Sequence, residues 1–290
     1  MQLAEYLPKI AKKHRIIQLL CKMGLQEKIC KIKFNQKAVA FIDLMDPEPR
    51  NAFIRESFEP AFFELAKAFM PDNGVFFDLG ANVGLCTFGM LPAKPKCNYH
   101  LFEANPKMIE LLSHSIKYHT ANSIKLSHAC VTEEEGITEF CLSNKQSGQS
   151  HVATIEEYGV KIPNLSLDNY CIENNISKID FAKIDLEGHE VPALKGWNKC
   201  LSKRIVKTVY LEIIPENQSR YGLNTIDPLL YMESHGYELY LCKEEDLGSF
   251  GQDPKFLPNR NSKLKPLASK FLAKQYPNDF ATDVLALAPV

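Results

Sequence analysis

Hydrophobic positions along this chain come in short blocks whose period keeps changing. Residues 75–79, VFFDL, are apolar but for Asp78, as in a parallel strand buried on both faces. A turn with Gly80 and Gly84 follows, and LCTFGM has the composition to open a helix facing that turn. Upstream, residues 8–23 predict a helix with Pro8 at its first position, apolar Ile10, Ile17 and Leu20 near one face, and a stop at Gly24. Residues 38–45 read as a strand, 46–51 as a turn with two prolines, and 56–70 as an amphipathic helix running up to Pro71.

Downstream the two periods alternate. Strands are expected at 98–104, 124–131, 179–185, 205–214 and 237–242. Helices are expected from Asn105, with Pro106 at N1, and over 166–175, 191–197 and 225–236. Residues 137–143 alternate like a two-sided strand, and 144–163 are polar and carry no clear period. Residues 243–278 form a long polar insertion, after which 282–289 can supply a last strand, inserted antiparallel beside 237–242. The alternation implies an α/β fold with a mostly parallel sheet covered on both faces.

Composition changes this picture little. The 290 residues are 45% hydrophobic and 24% charged, with a formal net charge of −1, which argues against a polyanion binder and against nucleic acid as a partner. The charge is uneven: residues 1–40 hold nine Lys or Arg against two Glu. The basic face of the first helix reads as solvated, with a peripheral membrane or lipid-linked substrate contact as the competing reading. No apolar run reaches the length of a membrane span. The nine cysteines include no Cys-x-x-Cys pair and no signal peptide is expected, so they are expected to be reduced, mostly buried thiols of a cytoplasmic protein. A zinc site would need tighter clustering of cysteine with histidine.

The chemistry is carried by the turn after residue 79. A dinucleotide fingerprint needs G-x-G-x-x-G, whereas this turn is G-A-N-V-G, and it has no phosphate-loop lysine. NAD, FAD, ATP and GTP are disfavoured. Glu103 ends the next strand, 19 residues past Gly84, where a carboxylate can accept hydrogen bonds from both hydroxyls of a ribose. D-x-G-x-x-x-G followed by that acid points to S-adenosylmethionine.

VFFDLGANVG, HLFEANP and DFAKIDLEGHEVPALKG, in this order and spacing, resemble the FkbM-type S-adenosylmethionine-dependent methyltransferases. FEP at 58–60 and LEI at 211–213 are similar to that family's upstream helix and fifth strand, and the likeness covers roughly residues 41–240. It implies a class I, Rossmann-like, doubly wound and mostly parallel seven-stranded sheet. Residues 1–70 would be an N-terminal helical extension or cap, and 71–290 the methyltransferase domain. The implied cofactor residues are Glu59, Asp78, Gly80, Asn82, Gly84, Glu103, Asn105 and Asp185, and the implied reaction is methylation of a hydroxyl on a sugar, glycan, glycolipid or natural product.

An alcohol acceptor must lose its proton, so a base within hydrogen-bond reach is expected. His189 is the candidate by intrinsic pKa, weighed against a purely structural role, with Asp185 and Glu187 beside it. No metal is expected: Asp185, Glu187, His189 and Glu212 lack a recognisable magnesium spacing. His151 lies in the stretch expected to cover the acceptor side, where a substrate contact competes with the reading of an exposed histidine without a role, and Tyr158, Trp197 and Tyr221 are read as packing residues. N- or protein methylation, or a non-catalytic S-adenosylmethionine-binding interaction protein, are the alternatives. The first lacks its N-P-P-Y-type tetrapeptide, since IDLE stands at the fourth strand. The second conflicts with a complete motif set.

Overall fold

The computed structural model describes residues 13–242, 265–266 and 282–289. The first described helix is α1 (Lys13–Lys22), and its expected start at Pro8 lies outside the described residues. A hairpin follows, β1 (Ile29–Phe34) and β2 (Ala38–Asp43), paired antiparallel from Ile29↔Asp43 to Phe34↔Ala38. Only its second strand is expected from the sequence, because Lys31 and Lys33 between Cys30, Ile32 and Phe34 look polar without the packing that buries the other face.

Residues 46–51 correct the expected turn: α2 spans Pro47–Arg55 and α3 spans Pro60–Phe69. Proline at a first helical position costs no hydrogen bond, so Pro47 and Pro60 start helices here. The break between them is at Glu56–Glu59, where Glu56 (φ 57°) and Glu59 (φ 33°) are left-handed.

The central strands and helices are β3 (Val75–Leu79), α4 (Leu85–Met90), β4 (Asn98–Glu103), α5 (Pro106–Tyr118) and β5 (Ser123–His128). The expected strand over 124–131 splits, since β6 (Cys130–Val131) leaves for a second sheet with β7 (Gly136–Cys141), β8 (His151–Val152) and β9 (Val160–Leu165). The stretch without a period at 144–163 thus contains a strand and part of another. Then come α6 (Leu167–Glu173), β10 (Phe181–Ile184), α7 (Glu190–Lys195), α8 (Asn198–Ser202), β11 (Thr208–Ile213), α9 (Pro215–Arg220), α10 (Asp227–Ser234), β12 (Glu238–Leu241), β13 (Lys265–Pro266) and β14 (Thr282–Leu287). Apart from β13, the polar insertion at 243–278 lies outside the described residues.

The main sheet has the order β13-β12-β14-β11-β10-β3-β4-β5. β3, β4, β5, β10 and β11 run parallel, and β14 enters antiparallel between β11 and β12. Leaving aside the two-residue edge strand β13, this is the expected seven-stranded sheet. The order reverses between β10 and β3, and a crevice opens at such a switch point beyond the carboxyl ends of the strands.

Each face of the sheet has its own apolar core. On one face Phe62 meets Phe76, Phe181 and Tyr210 edge-on, and the hairpin residues Ile32, Phe34 and Ile42 join the same cluster. The hairpin is also bonded to α5: Ser115 Oγ accepts from the Phe41 amide at 2.9 Å. On the other face Trp197 is fully buried and stacks on Phe77 at 5.8 Å between centroids. Trp197 is a packing residue as expected, whereas Tyr158 is 93% exposed. None of the nine cysteines forms a disulfide, and all but Cys141 are buried. Among the described residues no helix is long and apolar enough to cross a membrane.

Candidate functional site

A cavity of about 220 Å³ opens beyond the ends of β3, β4 and β10. Of the residues singled out from the sequence, Asp78, Gly80, Asn82, Glu103, Asp185, Glu187 and His189 line it. Glu59, Gly84 and Asn105 do not.

Asp78 is the one acid inside β3, and its Oδ2 accepts from Thr87 Oγ1 of α4 at 2.6 Å. Burial raises its pKa above the usual carboxylate value. Glu103 ends β4 and ties the glycine turn to the sheet: its Oε2 accepts from the Asn82 amide at 2.6 Å and its Oε1 from the Asn105 amide at 2.7 Å. Burial nevertheless pushes this carboxyl up to about 7. Asn105 is the N-cap of α5, its Oδ1 accepting from Lys107 N at 3.1 Å, as its place before Pro106 predicts. Gly84 stands at the start of α4.

Gly80 carries a constraint that the sequence reading assigned to a ligand. At φ 79°, a Cβ built on Gly80 would lie 1.9 Å from the Asp185 carbonyl oxygen. The glycine admits another strand's backbone, and the close approach holds the ends of β3 and β10 together.

The run KIDLEGHE builds the opposite wall. Lys183 donates to Asp185 Oδ2 at 2.7 Å. Burial alone would discharge Lys183, but Asp185, Cys86, Glu59 and Glu212 outweigh it and hold the ammonium well above its ordinary pKa. Glu59, partly buried behind this group, faces Cys86 Sγ at 3.8 Å, and burial pushes its carboxyl up to about 7. The loop then turns through Glu187 (φ 54°) and Gly188 (φ 99°). A Cβ on Gly188 would meet the Asn217 carbonyl oxygen at 2.2 Å. Glu190 holds the turn from inside, its Oε1 accepting from the amides of Leu186 (3.0 Å) and Gly188 (3.2 Å), and Gln218 holds its other oxygen.

That turn presents two titratable groups to the cavity. Burial, then the charge of Asp185, raises Glu187 to about 8, although Asn217 Nδ2 donates to it at 2.7 Å. His189 is lowered to about 4 by desolvation, so its ring is neutral at neutral pH. Its Nε2 lies 3.1 Å from Thr132 Oγ1, while Nδ1 is buried and has no hydrogen-bond partner. Tyr221 packs edge-on against the ring and donates to the Val152 carbonyl at 2.7 Å.

The cover over the cavity carries no sequence motif. Glu48, read as part of a turn, comes from the first turn of α2 and lines the cavity. Burial, with Asp185 next, raises it to about 7. Asn82 Nδ2 donates to Glu48 at 3.4 Å, and Asn82 Oδ1 accepts from Ser147 Oγ at 2.7 Å. The Ser147 amide bonds Asp46 at 3.0 Å. Two segments about a hundred residues apart thus meet over Asn82. Only the acids of DPEP hinted at it. Lys183 and Glu212, within runs that were recognised, also line the cavity.

The hexuronic acid methyltransferase AglP of Haloferax volcanii is 27% identical over 142 residues, covering 49% of this chain and 56% of that protein. The chain therefore spans about half the length of that curated relative. The precorrin-6y C5,15-methyltransferase of Geobacter metallireducens superposes with a TM-score of 0.40 at 13% identity, over 80% of this chain and 88% of its own. TYW2 of M. jannaschii, solved with AdoMet, gives 0.40 at 12% identity, over 90% and 86%. The methyltransferase FkbM domain matches residues 78–239. That match takes in the glycine turn, Glu103 and the whole KIDLEGHE wall, more than half of the chain, and the protein belongs to the FkbM-domain methyltransferases, whose methyl donor is S-adenosylmethionine.

Proposed function

We propose that this protein methylates a hydroxyl oxygen of a sugar or sugar-like acceptor, with His189 receiving the hydroxyl proton. The observation that carries the reading is the free Nδ1 of His189, buried on the cavity wall without a partner. When Nε2–H donates to Thr132 Oγ1, the Nδ1 lone pair is the one left to accept a proton. A neutral imidazole offers that lone pair at pH 7. Glu187, held near 8, is mostly protonated there and donates instead. Asp185 is engaged by Lys183. The name of the Haloferax volcanii relative, a hexuronic acid methyltransferase, supports a sugar acceptor.

The cavity residues fit the donor. Each Glu103 oxygen uses one lone pair on a backbone amide and keeps one for a ribose hydroxyl. Apolar Phe102, Ala104, Met108 and Val131 flank Glu103 and suit a flat base. Asp78, Asn82, Asp185 and Gly80 form the polar side, suited to the amino-acid part, while Gly84, Asn105 and Glu59 support these residues from behind. Bound S-adenosylmethionine supplies a methyl group on a positively charged sulfur. The chain's own work is to hold the acceptor oxygen in line, exclude water beneath the Glu48–Asn82–Ser147 cover, and take the proton.

Transfer of tritiated methyl groups to oligosaccharide and glycolipid acceptors tests the reaction. Label in an alkali-stable ether supports it, and label only on protein or amine nitrogen overturns it. Asp78→Ala and Glu103→Ala are each expected to weaken S-adenosylmethionine binding about 10–100-fold by calorimetry, the loss of one or two hydrogen bonds to a charged group. Unchanged affinity in folded variants would remove those residues from the donor site.

A further consequence is protonic. Glu48, Glu103 and Glu187 stand near 7, 7 and 8 and carry protons at neutral pH. A cationic donor favours their ionised forms. Binding at pH 7 should release protons, and affinity should rise from pH 6 to 8. Calorimetry in two buffers of different ionisation enthalpy reads this directly, and equal enthalpies would contradict it.

A further inference from the structure

We propose that Cys141, His151 and Glu157 bind one divalent metal ion of the zinc class, in the small sheet beside the methyl-transfer cavity. The thiol sulfur, a ring nitrogen and a carboxylate oxygen all lie within 4.8 Å of one another. Zinc bonds of about 2.0–2.3 Å place such ligand atoms roughly 3.3–3.8 Å apart in a tetrahedron. Small side-chain rotations close the difference.

The topology, not the sequence, makes this cluster. Cys141 ends β7 and is the register partner of His151 in β8. Cross-strand neighbours on one face lie within side-chain reach. The chain leaving β8 turns back at 153–158 and delivers Glu157. In the sequence, nine residues lie between the cysteine and the histidine, so no compact zinc motif is visible. Nor is His151 exposed as expected, since its side chain is 15% exposed and faces Glu157.

The orientation of the histidine points to a bound cation. His151 Nδ1 lies 3.0 Å from the Gln149 carbonyl oxygen. A carbonyl only accepts, so Nδ1 carries the proton. In the neutral ring, Nε2 then presents a lone pair, and 3.2 Å away it meets Glu157 Oε1, a second acceptor. Two acceptors face each other there, and a positive charge must stand between them, either a proton or a metal ion. The third donor decides for the metal: Cys141 Sγ shares the same space, and a thiolate prefers zinc-class ions.

The nitrogen and oxygen ligands are already oriented from behind, as in metal sites. The Gln149 carbonyl fixes the histidine tautomer. Thr154 donates its amide (2.9 Å) and hydroxyl (2.8 Å) to Glu157 Oε2, leaving Oε1 for the ion. Glu139 adds negative charge beside the thiol, and Arg220 is the opposing cation, its guanidinium committed to the Glu187 carbonyl and to Asn217. On binding, the Cys141 S–H bond breaks, its proton passes to solvent and the sulfur–metal bond forms. Water completes the fourth position. Ser150 and Val152 flank His151 and line the cavity, so the ion would pin the wall on the acceptor side without touching the reacting groups.

The test is titration of the tag-free, full-length chain with Co²⁺. The expected result is a near-ultraviolet thiolate-to-cobalt band that saturates at one ion per chain and is displaced by Zn²⁺. Eight of the nine cysteines are buried, so a thiolate band from folded protein reports Cys141. The band should vanish in Cys141→Ser, and the affinity should fall at least about tenfold in His151→Gln and Glu157→Gln. Zn²⁺ should raise the melting temperature of the wild type and leave that of Cys141→Ser unchanged. A wild type without the band at saturating Co²⁺, or a band that persists in Cys141→Ser, would overturn the proposal. So would a His151 ring that NMR finds as imidazolium at neutral pH with Co²⁺ present. Should Cys141→Ser not fold, the two glutamine variants carry the same test.

Discussion

Alanine in place of His189 is expected to lower turnover about 10²–10⁴-fold, the usual worth of a positioned acid–base group. S-adenosylmethionine affinity should stay within about twofold. The ring bonds only Thr132 among the described residues and leaves Nδ1 free, so its removal breaks no connection to the glycine turn. A purely structural histidine would give the opposite pattern, a lowered melting temperature with turnover per folded molecule intact. The pH dependence of stability separates the two further. His189 stands near 4 when folded and near 6.5 when free. Between those values the unfolded chain binds a proton that the folded chain refuses. The wild type therefore loses up to about 3 kcal/mol from this group as pH falls from 6.5 to 4. His189→Ala lacks that penalty, so its melting temperature relative to wild type should rise across the same interval. Nearby carboxylates raised above their ordinary values move stability the other way, and they cancel in the difference between the two proteins. A difference independent of pH would show that the ring is not held neutral.

The sheet was legible in the chain because its strands are buried on both faces, and such strands read as apolar runs whatever their partners. VFFDL, FAKI and TVYLEI are of this kind. The N-cap at Asn105 was legible because Asn before Pro has a local physical meaning. What escaped reading depends on partners distant in sequence. β1 alternates charge with apolar residues and becomes a strand only because β2 pairs with it and α2 packs against it. Pro47 looked like part of a turn, since proline starts helices and turns alike. Within the site, the motif residues on β3, β4 and β10 were found because strand ends and glycine turns have fixed spacing. Glu48 and Ser147 were not, because they reach the cavity through Asn82, from segments whose meeting no local pattern encodes. Glu59 matched a motif yet lies behind the cavity, on Cys86, because a motif identifies a position and not the direction of its side chain.

Gly80→Ala is expected to be among the most damaging single methyl groups that the described glycines can take. Two costs add. At φ 79° an alanine pays roughly 1–2 kcal/mol for a left-handed backbone. Its Cβ would also stand 1.9 Å from the Asp185 carbonyl oxygen, and that neighbour is backbone, held by the β10 pairing, which cannot rotate away. Gly222→Ala isolates the first cost, for Gly222 has φ 68° and nothing within 4 Å of its built Cβ. Denaturant unfolding should therefore show about 1 kcal/mol lost in Gly222→Ala and about 3–5 kcal/mol in Gly80→Ala, the range of severe core lesions. If Gly80→Ala folds at all, it does so by pushing the end of β10 away from β3. That displacement carries Asp185, Glu187 and His189 with it, because all three follow β10 on one short loop. A shift near 1 Å is enough to cost about 10²-fold in turnover. Equal losses in the two alanine variants would mean that the β3–β10 contact yields freely, and that the Asp185 backbone does not require a glycine at residue 80.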